Sequence, residues 1–343
     1  MTICDIAKMA GVSVATVSRV INNKGYVKEG TRKKIEQLIE ETGYRPNAVA
    51  RSLVRSDTSI IAVIMSNRMR PFFSDILDVI QMKAEESDYS ILLYNTGENE
   101  EKEQKAIAQA IEHQVKGILL FPIIGSGIKS AMLLQEAESK GISVVLMDRK
   151  VEHGNFDIVT IDNKSVIYDG IKLFIESGHK KIGFIACPEI VLGGGGRISG
   201  YLQCLQDHGI PVNQSYIRKG GFDEESGYNA CASLLSLPEP PTALLTACSS
   251  ETIGCIRYLN EHQIVPGKDI GLIGFDDIAL LCHFGSQKIT SIERPVREMG
   301  EIAYEIMEKR MKGDGTKKQR MEIMIPIKII IRGTERLEQK EEN

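Results

Sequence analysis

The beginning of the chain carries apolar residues at the spacing of short amphipathic helices. Residues 3–10 place isoleucine and alanine on one face, which predicts a first helix with a buried side. Gly11 supplies the turn that follows, because a residue without Cβ tolerates the positive φ that ends a helix. Ser13 can cap a second helix, and a third is predicted over residues 29–42, ending at Gly43. The pattern therefore predicts a small helical domain built on a helix-turn-helix.

The second predicted helix has an outward face that suits DNA. Its apolar residues Val17, Val20 and Ile21 face inward. The outward residues are Val14, Ala15, Ser18, Arg19 and Asn22. Small side chains let a helix approach the major groove closely, hydroxyls reach phosphates, and arginine reads guanine or holds the backbone. An ordinary helical hairpin with a solvated face is the alternative for this segment taken alone.

Beyond residue 57 the pattern changes to short apolar runs separated by amphipathic stretches of helical length. Apolar strands that alternate with helices predict parallel sheets covered on both faces. The strand-like runs are residues 60–64, 91–94, 117–121, 144–147, 181–186, 243–245 and 270–274. We therefore predict two α/β lobes of similar build, each a doubly wound parallel sheet, with a cleft at the carboxyl ends of their strands.

Charge is distributed unevenly between these two regions. Residues 1–56 hold ten Lys or Arg and five Asp or Glu, a balance of +5, whereas the whole chain carries −4. The remaining residues therefore carry −9. A basic head on an acidic body is the electrostatic pattern of a protein that contacts nucleic-acid phosphates.

Composition narrows the class of protein further. No apolar run approaches the roughly 20 residues needed to span a bilayer, and Met1 leads directly into the helical pattern, so we expect no signal peptide. The seven cysteines form no CxxC pair, which predicts reduced, mostly buried thiols and no zinc site. These features together predict a cytoplasmic protein without a metal or other cofactor.

Two stretches resemble the DNA-binding head and hinge of the LacI family of bacterial transcription repressors: DIAKMAGVSVATVSRVINN and VKEGTRKKIEQLIEETGYRPNAVARSL. The resemblance implies that Val14 and Ala15 set the sequence preference in a half-site and that Arg19 is a third reader. It also implies that Leu53, on a hinge helix, wedges into the minor groove, the alternative being a small local apolar cluster. Hydroxyl-bearing residues would hold phosphates. The implied DNA-binding residues are Ser13, Val14, Ala15, Thr16, Ser18, Arg19, Asn22, Asn47, Arg51 and Leu53.

The resemblance implies a periplasmic-binding-protein-like body in which the chain crosses between the lobes three times. The expected boundaries are residues 1–46 for the helix-turn-helix domain, 47–58 for the hinge helix and linker, and 59–335 for the effector-binding and dimerisation domain. The first lobe is expected to cover about 59–161 and 292–318, and the second about 162–291 and 319–333. The strand-like RMEIMIPIKIII would then finish the second lobe.

Candidate effector residues cluster where the predicted strands end. The residues that match the family's effector positions are Phe72, Phe73, Asp148, Arg197, Phe222, Ser249 and Asp276. Carboxylates and arginine suit sugar hydroxyls, and an aromatic ring can stack on the apolar face of a pyranose. A salt bridge across the cleft is the alternative for Arg197 and Asp276, and loop packing is the alternative for the others.

The chain departs from the family pattern at two places. It has Ser249-Ser250 where the family usually has Asn-Asp, and a serine can donate to a hydroxyl but is too short to replace a carboxamide. Arg68 and Arg70 stand before Pro71, where the family more often has uncharged residues. We hypothesise that one of these arginines reaches an anionic effector such as a sugar phosphate or sugar acid, the alternative being a solvated loop.

Signals for catalysis are weak. The chain has no Gly-x-Ser-x-Gly elbow and no His pair at metal-ligand spacing, and the glycines at 193–196 lack the ending of a P-loop. We therefore predict a non-enzymatic repressor of carbohydrate uptake or catabolism genes. It would bind a pseudopalindromic operator as a homodimer, under allosteric control by a sugar or sugar-derivative effector. A cytoplasmic sugar-binding protein or an α/β enzyme is the alternative, and effector identity and the sign of its action stay open.

Overall fold

A computed structural model of the chain describes residues 1–21, 25–44, 58–66, 71–187, 196–278, 288–313 and 319–336. The chain divides into two units, Met1–Thr58 and Ser59–Asn343, which we call the head and the body. None of the helices in the described ranges is long and apolar enough to cross a lipid bilayer. The predicted hinge helix, and with it Asn47, Arg51 and Leu53, lies outside these ranges, as do Asn22, Arg68 and Arg70.

The described part of the head consists of short helices around a miniature core. They are α1 (Ile3–Ala10), α2 (Val14–Ile21) and α3 (Glu29–Thr42). Each contributes a fully buried apolar side chain to one cluster, namely Ile6, Val17 and Ile35. The helices predicted from apolar spacing are therefore confirmed, together with the inward direction of Val17.

The ends of these helices follow the predicted capping chemistry. Thr2 and Asp5 form a reciprocal capping box at the start of α1. Gly11 ends this helix with a left-handed backbone at φ 71°, and Ser13 Oγ accepts the N–H of Thr16 at 3.2 Å. Both residues therefore fix the turn that sets α2 against α1.

The body contains the alternating strands and helices that the apolar runs predict. In chain order they begin with β1 (Ile60–Met65), α4 (Pro71–Glu86), β2 (Ser90–Asn95), α5 (Glu100–Glu112), β3 (Gly117–Leu120), α6 (Ile128–Ser139), β4 (Ser143–Met147) and β5 (Asp157–Ile161). They continue with α7 (Asn163–Glu176), β6 (Ile182–Ala186), α8 (Gly196–Asp207), β7 (Ile217–Lys219), α9 (Glu224–Leu235), β8 (Ala243–Thr246), α10 (Ser249–Glu261), β9 (Gly271–Phe275) and β10 (Thr290–Glu293). They end with α11 (Val296–Met311), β11 (Glu322–Ile325) and β12 (Lys328–Ile330).

The described strands form two six-stranded sheets of matching order, β11-β5-β4-β3-β1-β2 and β12-β10-β9-β8-β6-β7. Neighbouring strands are parallel except for the antiparallel pair of β10 and β12. The central strands are buried along their whole length because helices cover both faces of each sheet. Two doubly wound α/β lobes are thus confirmed, and their carboxyl-terminal strand ends hold the candidate site.

The last crossovers differ in part from the expectation. Helix α11 packs on the first lobe, where Met299, Ala303 and Met307 join the core of that lobe, as predicted. The prediction that residues 319–333 finish the second lobe is wrong for β11, which pairs with β5 of the first sheet. Only β12 pairs with β10 of the second sheet. Pro326 separates the two strands, and a residue without an N–H cannot continue one ladder into the other.

Candidate functional site

The outward face of α2 carries the predicted DNA-reading residues. Those exposed are Ser13, Val14, Ala15 and Arg19, and those half-buried at its edge are Thr16 and Ser18. Val17 and Val20 on the opposite face are buried in the core of the head. The helix therefore presents small side chains, hydroxyls and one guanidinium group on a single accessible side, which is the chemistry a major groove accepts.

Tyr26 is an exposed aromatic residue that the sequence reasoning passed over. Its side chain is 86% exposed, more than any other large apolar or aromatic residue of the described chain. It follows Gly25, whose φ of 78° turns the chain after the second helix. A phenol in the segment between α2 and α3 can donate to phosphate or stack on a sugar. An aromatic residue directly after the helix-turn-helix was the available signal.

In the body, two aspartates occupy equivalent places in the two sheets. Asp148 follows β4 and Asp276 follows β9, which hold the same position in the two strand orders. Both have left-handed backbones, with φ of 68° and 67°. Because carboxyl ends of parallel strands face the same edge of a sheet, each carboxylate lies at the mouth of its lobe.

Six of the seven predicted effector residues line one small cavity between the lobes, which we call the inner cavity. They are Phe72, Phe73, Asp148, Arg197, Phe222 and Ser249, and the described lining is completed by Arg149, Cys248, Phe275 and Arg294. The inner cavity measures about 20 Å³, enough for the centre of one or two water-sized groups. Asp276, the seventh predicted residue, is not part of the lining because Arg294 stands in front of it.

Arg294 is the largest addition that the structure makes to the predicted site. Its Nε and Nη2 donate to the two carboxylate oxygens of Asp276 at 2.6 and 2.9 Å. Its guanidinium group also lies 3.4 Å from the ring centroid of Phe72, which belongs to the first lobe. Arg294 therefore joins the end of the second sheet to the first lobe. The signal in the sequence was an arginine directly after a strand, in TSIERP.

Arg197 sits at the start of α8 with only 7% of its surface exposed. Its Nε donates to Asn163 Oδ1 at 2.8 Å, and its Nη1 donates to Cys187 Sγ at 3.3 Å. The guanidinium group lies 4.4 Å from the ring centroid of Phe275. These contacts hold the side chain in one orientation at the inner cavity.

Arg149 reaches from the first lobe towards the second. Its Nη1 donates to Glu98 Oε1 and to the Pro122 carbonyl, both at 3.1 Å. Its guanidinium group lies 5.6 Å from the ring centroid of Phe222, which follows β7 of the second lobe. Phe222 thus stands against an arginine in this structure, and this arginine directly follows the predicted Asp148 in the chain.

Phe72 and Phe73 open helix α4 instead of forming a loop, because Pro71 is well suited to the first position of a helix. Both side chains are almost fully buried and pack edge-to-face with Phe121. These rings serve the core and also line the inner cavity. The packing role and the proximity to a ligand are therefore compatible for these two residues.

Ser249 begins α10 and is 2% exposed at the inner cavity. Behind it lies Glu251, whose Oε2 accepts the N–H of Ala247 at 3.1 Å. The other carboxylate oxygen, Oε1, is buried without a hydrogen-bond partner among the described residues. Burial raises the pKa of Glu251 to about 8, although Arg197 acts in the opposite direction. Burial of Glu251 behind Ser249 therefore favours the protonated form of this carboxyl group.

A second, larger cavity adjoins the inner one and shares Asp148 and Arg149 with it. This outer cavity measures about 490 Å³, which is within the usual range for small-molecule sites. Thr160, Asn163 and Lys164 also line it. Asp148 Oδ1 and Thr160 Oγ1 are buried without a hydrogen-bond partner among the described residues, so the outer cavity is bordered by a carboxylate oxygen that can accept and a hydroxyl that can donate or accept.

Two family models match the chain. The model of the bacterial regulatory proteins of the lacI family matches residues 2–47. The model described as periplasmic binding proteins and sugar binding domain of the LacI family matches residues 58–332. The two matches cover the head and the body in turn.

Named relatives agree with these models along nearly the whole chain. Catabolite control protein A of Priestia megaterium is 33% identical over 312 residues, which is 91% of this chain and 92% of that protein. The HTH-type transcriptional repressor PurR of Proteus mirabilis is 31% identical over 309 residues, covering 89% of each. The chain is thus similar to transcription regulators from end to end.

Solved structures show the same fold. The lac repressor dimer bound to operator and the anti-inducer ONPF superimposes with a TM-score of 0.83 at 23% identity, covering 98% of this chain and 99% of that one. The transcription regulator CcpA of Lactococcus lactis gives 0.70 at 20% identity, covering 81% and 99%. The helical head, the two α/β lobes, the two family models and the named relatives all indicate the same family. The chain belongs to the LacI family of bacterial transcriptional regulators, as its sequence predicted.

Proposed function

We propose that the chain is a repressor of carbohydrate uptake or catabolism genes and that a sugar or sugar derivative bound between its lobes controls its operator affinity. The observation that carries this proposal is the convergence of six predicted effector residues on one cavity beside a ligand-sized one. The family model that matches the body is described as sugar-binding, and one relative is named a catabolite control protein. We place its action in the cytoplasm, where its DNA is.

DNA recognition is assigned to the outward face of α2. Val14 and Ala15 would contact base edges, and Arg19 would read guanine or hold the backbone. Hydroxyls of Ser13, Thr16 and Ser18 would position the helix on phosphates without reading sequence. We add Tyr26 to this group because of its exposure. A dimer carrying two such heads reads a pseudopalindrome, since a two-fold protein requires two equivalent half-sites.

Regulation follows from the contacts between the lobes. Arg149 reaches Phe222 and Arg294 reaches Phe72, so each lobe contributes one guanidinium group to an aromatic ring of the other. A ligand that enters between them changes the free-energy balance of these contacts and thereby the arrangement of the lobes. Differential affinity of the effector for two arrangements is the thermodynamic basis of allosteric control.

The dimer is assigned to the open edge of the first sheet. A groove lined by Leu77, Tyr89, Ile91 and Leu93 runs along α4 and the edge strand β2. An apolar sheet edge is a ready template for association. A second copy of this chain is the proposed occupant, because the lac repressor to which the chain is similar is a dimer on its operator.

Selection of bound duplexes from a randomised DNA pool tests this function. The full chain is used at one stated salt concentration, once alone and once with a mixture of neutral and acidic sugars, because phosphate contacts make affinity salt-dependent. We expect an enriched pseudopalindrome in one of the two conditions and its loss in the other. No enrichment in either condition contradicts the proposal. Tyr26→Ala should lower affinity for the selected duplex several-fold, whereas Met9→Ala, an exposed change on α1, should not.

A further inference from the structure

The lining of the inner cavity is richer in N–H donors than in acceptors. Its described charged residues are Arg149, Arg197, Arg294 and Asp148. The carboxylates of Glu98 and Asp276 lie behind two of these arginines and hold them in place. The whole group is therefore close to neutral, but the surface that faces the cavity consists mainly of guanidinium groups and phenyl rings.

Arg294 changes the hydrogen-bonding groups that the second lobe presents to a ligand. A carboxylate at Asp276 would accept hydrogen bonds from sugar hydroxyls, but both of its oxygens accept from Arg294. A guanidinium group has five N–H donors, and among the described residues Arg294 donates with two of them to Asp276 alone. The pair therefore presents donors in a place where the aspartate by itself would present acceptors. Ligand oxygens with negative charge suit this arrangement best.

The two cavities differ in size, so each can hold a different part of one ligand. The inner cavity, at about 20 Å³, has room for the one or two oxygen atoms of an acidic group that face the arginines, with the rest of that group at its opening, and it excludes a sugar ring. The outer cavity, at about 490 Å³, admits a ring with its hydroxyls. Asp148 stands between the two cavities with Oδ1 unpartnered among the described residues, so a hydroxyl next to the acidic group would meet an acceptor there.

We propose that the effector is a hydroxylated compound with one acidic group, a carboxylate or a phosphate, whose oxygens Arg294 and Arg149 receive in the inner cavity. The rest of the molecule lies in the outer cavity, with a hydroxyl donating to Asp148 Oδ1. This inference rests on the proposed function, because it names the chemical class of effector for the same cleft.

Inorganic phosphate at constant ionic strength is the first probe. We expect about 50 mM phosphate to raise the melting temperature of the full chain by roughly 2 °C or more. The double variant Asp276→Asn with Arg294→Met removes both charges together, so that neither is left buried without a partner. It should lose most of this rise. Arg297→Met is the matched control, because Arg297 is 74% exposed and pairs only with Glu301 among the described residues; it should keep the rise.

Phosphate that binds the basic head would stabilise all three proteins equally. The difference between their rises in melting temperature therefore measures the phosphate that is bound in the cleft. The proposal is overturned if the double variant keeps the full rise, or if the unaltered chain shows none. Calorimetric titration with glucose, gluconate and glucose 6-phosphate is the second probe. At least one acidic compound should bind tenfold tighter than glucose or better, and equal or tighter binding of glucose overturns the proposal.

The selection of DNA duplexes separates this inference from the proposed function. An enriched pseudopalindrome without a phosphate effect in the cleft leaves the repressor assignment standing and removes the acidic effector. A phosphate effect that depends on Arg294, without any enriched duplex, supports an acidic ligand in the cleft and contradicts the repressor assignment. Arg294→Lys refines the result: it keeps the charge but loses the planar fork, so we expect it to retain part of the phosphate effect.

Discussion

The two lobes share one strand order but use the same topological position for different chemistry. Asp148 and Asp276 follow equivalent strands and have nearly the same left-handed backbone. In the second lobe both carboxylate oxygens are held by Arg294. In the first lobe Oδ1 of Asp148 has no partner among the described residues. Topology therefore determines where a functional carboxylate stands, and its neighbours determine whether it can bind anything else.

Replacing each aspartate by asparagine tests this difference most strongly. Asn tolerates the left-handed backbone, so neither change adds strain. Asp276→Asn leaves the buried Arg294 without its ion pair and should lower the free energy of unfolding by about 3 kcal/mol. Asp148→Asn should cost less, about 1 kcal/mol, because it removes only the 3.9 Å ion pair of Asp148 Oδ2 with Arg149 Nε, while Arg149 keeps Glu98. Urea unfolding of the full chain measures both values. Equal costs would show that the two positions have the same electrostatic role.

A buried glutamate from each lobe, Glu103 in the first and Glu251 in the second, allows a further comparison, and their surroundings differ in the opposite sense. Glu103 in the first lobe accepts from the Ile123 N–H at 2.7 Å and from the hydroxyls of Ser126 and Ser130 at 2.5 and 2.8 Å. Glu103→Gln turns an amide N–H₂ towards these donors and should lower the free energy of unfolding by about 1–2 kcal/mol. The same urea titration measures it, and a stabilised variant would contradict the assigned contacts.

Glu251 in the second lobe should make stability depend on pH. Its pKa rises from 4.5 to about 8 on folding because of burial, so the folded state retains a proton that the unfolded state has lost. Stability from this group is present below about pH 4.5 and is lost as pH rises towards 8, by about 1.4 kcal/mol per pH unit at most. Glu251→Gln should flatten this slope between pH 5 and 8. An unchanged slope in urea unfolding at several pH values would exclude Glu251 as its source.

The open edges of the two sheets differ in length and in charge. Strand β2 is six residues long with Leu93 36% exposed, whereas β7 is three residues long and carries Arg218 and Lys219. Leu93→Glu should weaken the dimer about tenfold, because it places a charge in an apolar contact. Lys219→Glu on the other edge should leave the dimer unchanged. Sedimentation equilibrium measures the dimer dissociation constants of both variants. Similar dissociation of the two variants would contradict an interface at β2.

Features that depend on local pattern could be predicted from the sequence. The helices of the head follow from apolar spacing, and the family resemblance together with the predicted strand ends indicated Asp148, Arg197 and Phe222, which line the inner cavity. The family resemblance supplied the return of α11 to the first lobe. These inferences succeeded because each depends on short-range periodicity or on a conserved order of elements.

Contacts between residues that are far apart in the chain could not be predicted from the sequence. Arg294 is 18 residues from Asp276 in the chain, and no local spacing indicates that the two would pair. Glu251 lies in the first turn of a helix, where acidic residues are common, and nothing in the local sequence indicates that its side chain is completely buried. The division of β11 and β12 between two sheets depends on Pro326 and on which sheet edge each strand reaches, which the continuous apolar pattern concealed.

The position of β11 and β12 in the chain has a consequence during protein synthesis. The head precedes the body in the chain and therefore leaves the ribosome first, and domains generally fold in that order. Each sheet of the body, in contrast, receives one of its two edge strands only from residues 322–330. A premature stop after α11 would therefore damage both lobes at once and spare the head. Such a fragment would retain the helix-turn-helix but have an incomplete sensing body. In the full chain, too, the DNA-reading head is synthesised before the two lobes that regulate it are complete.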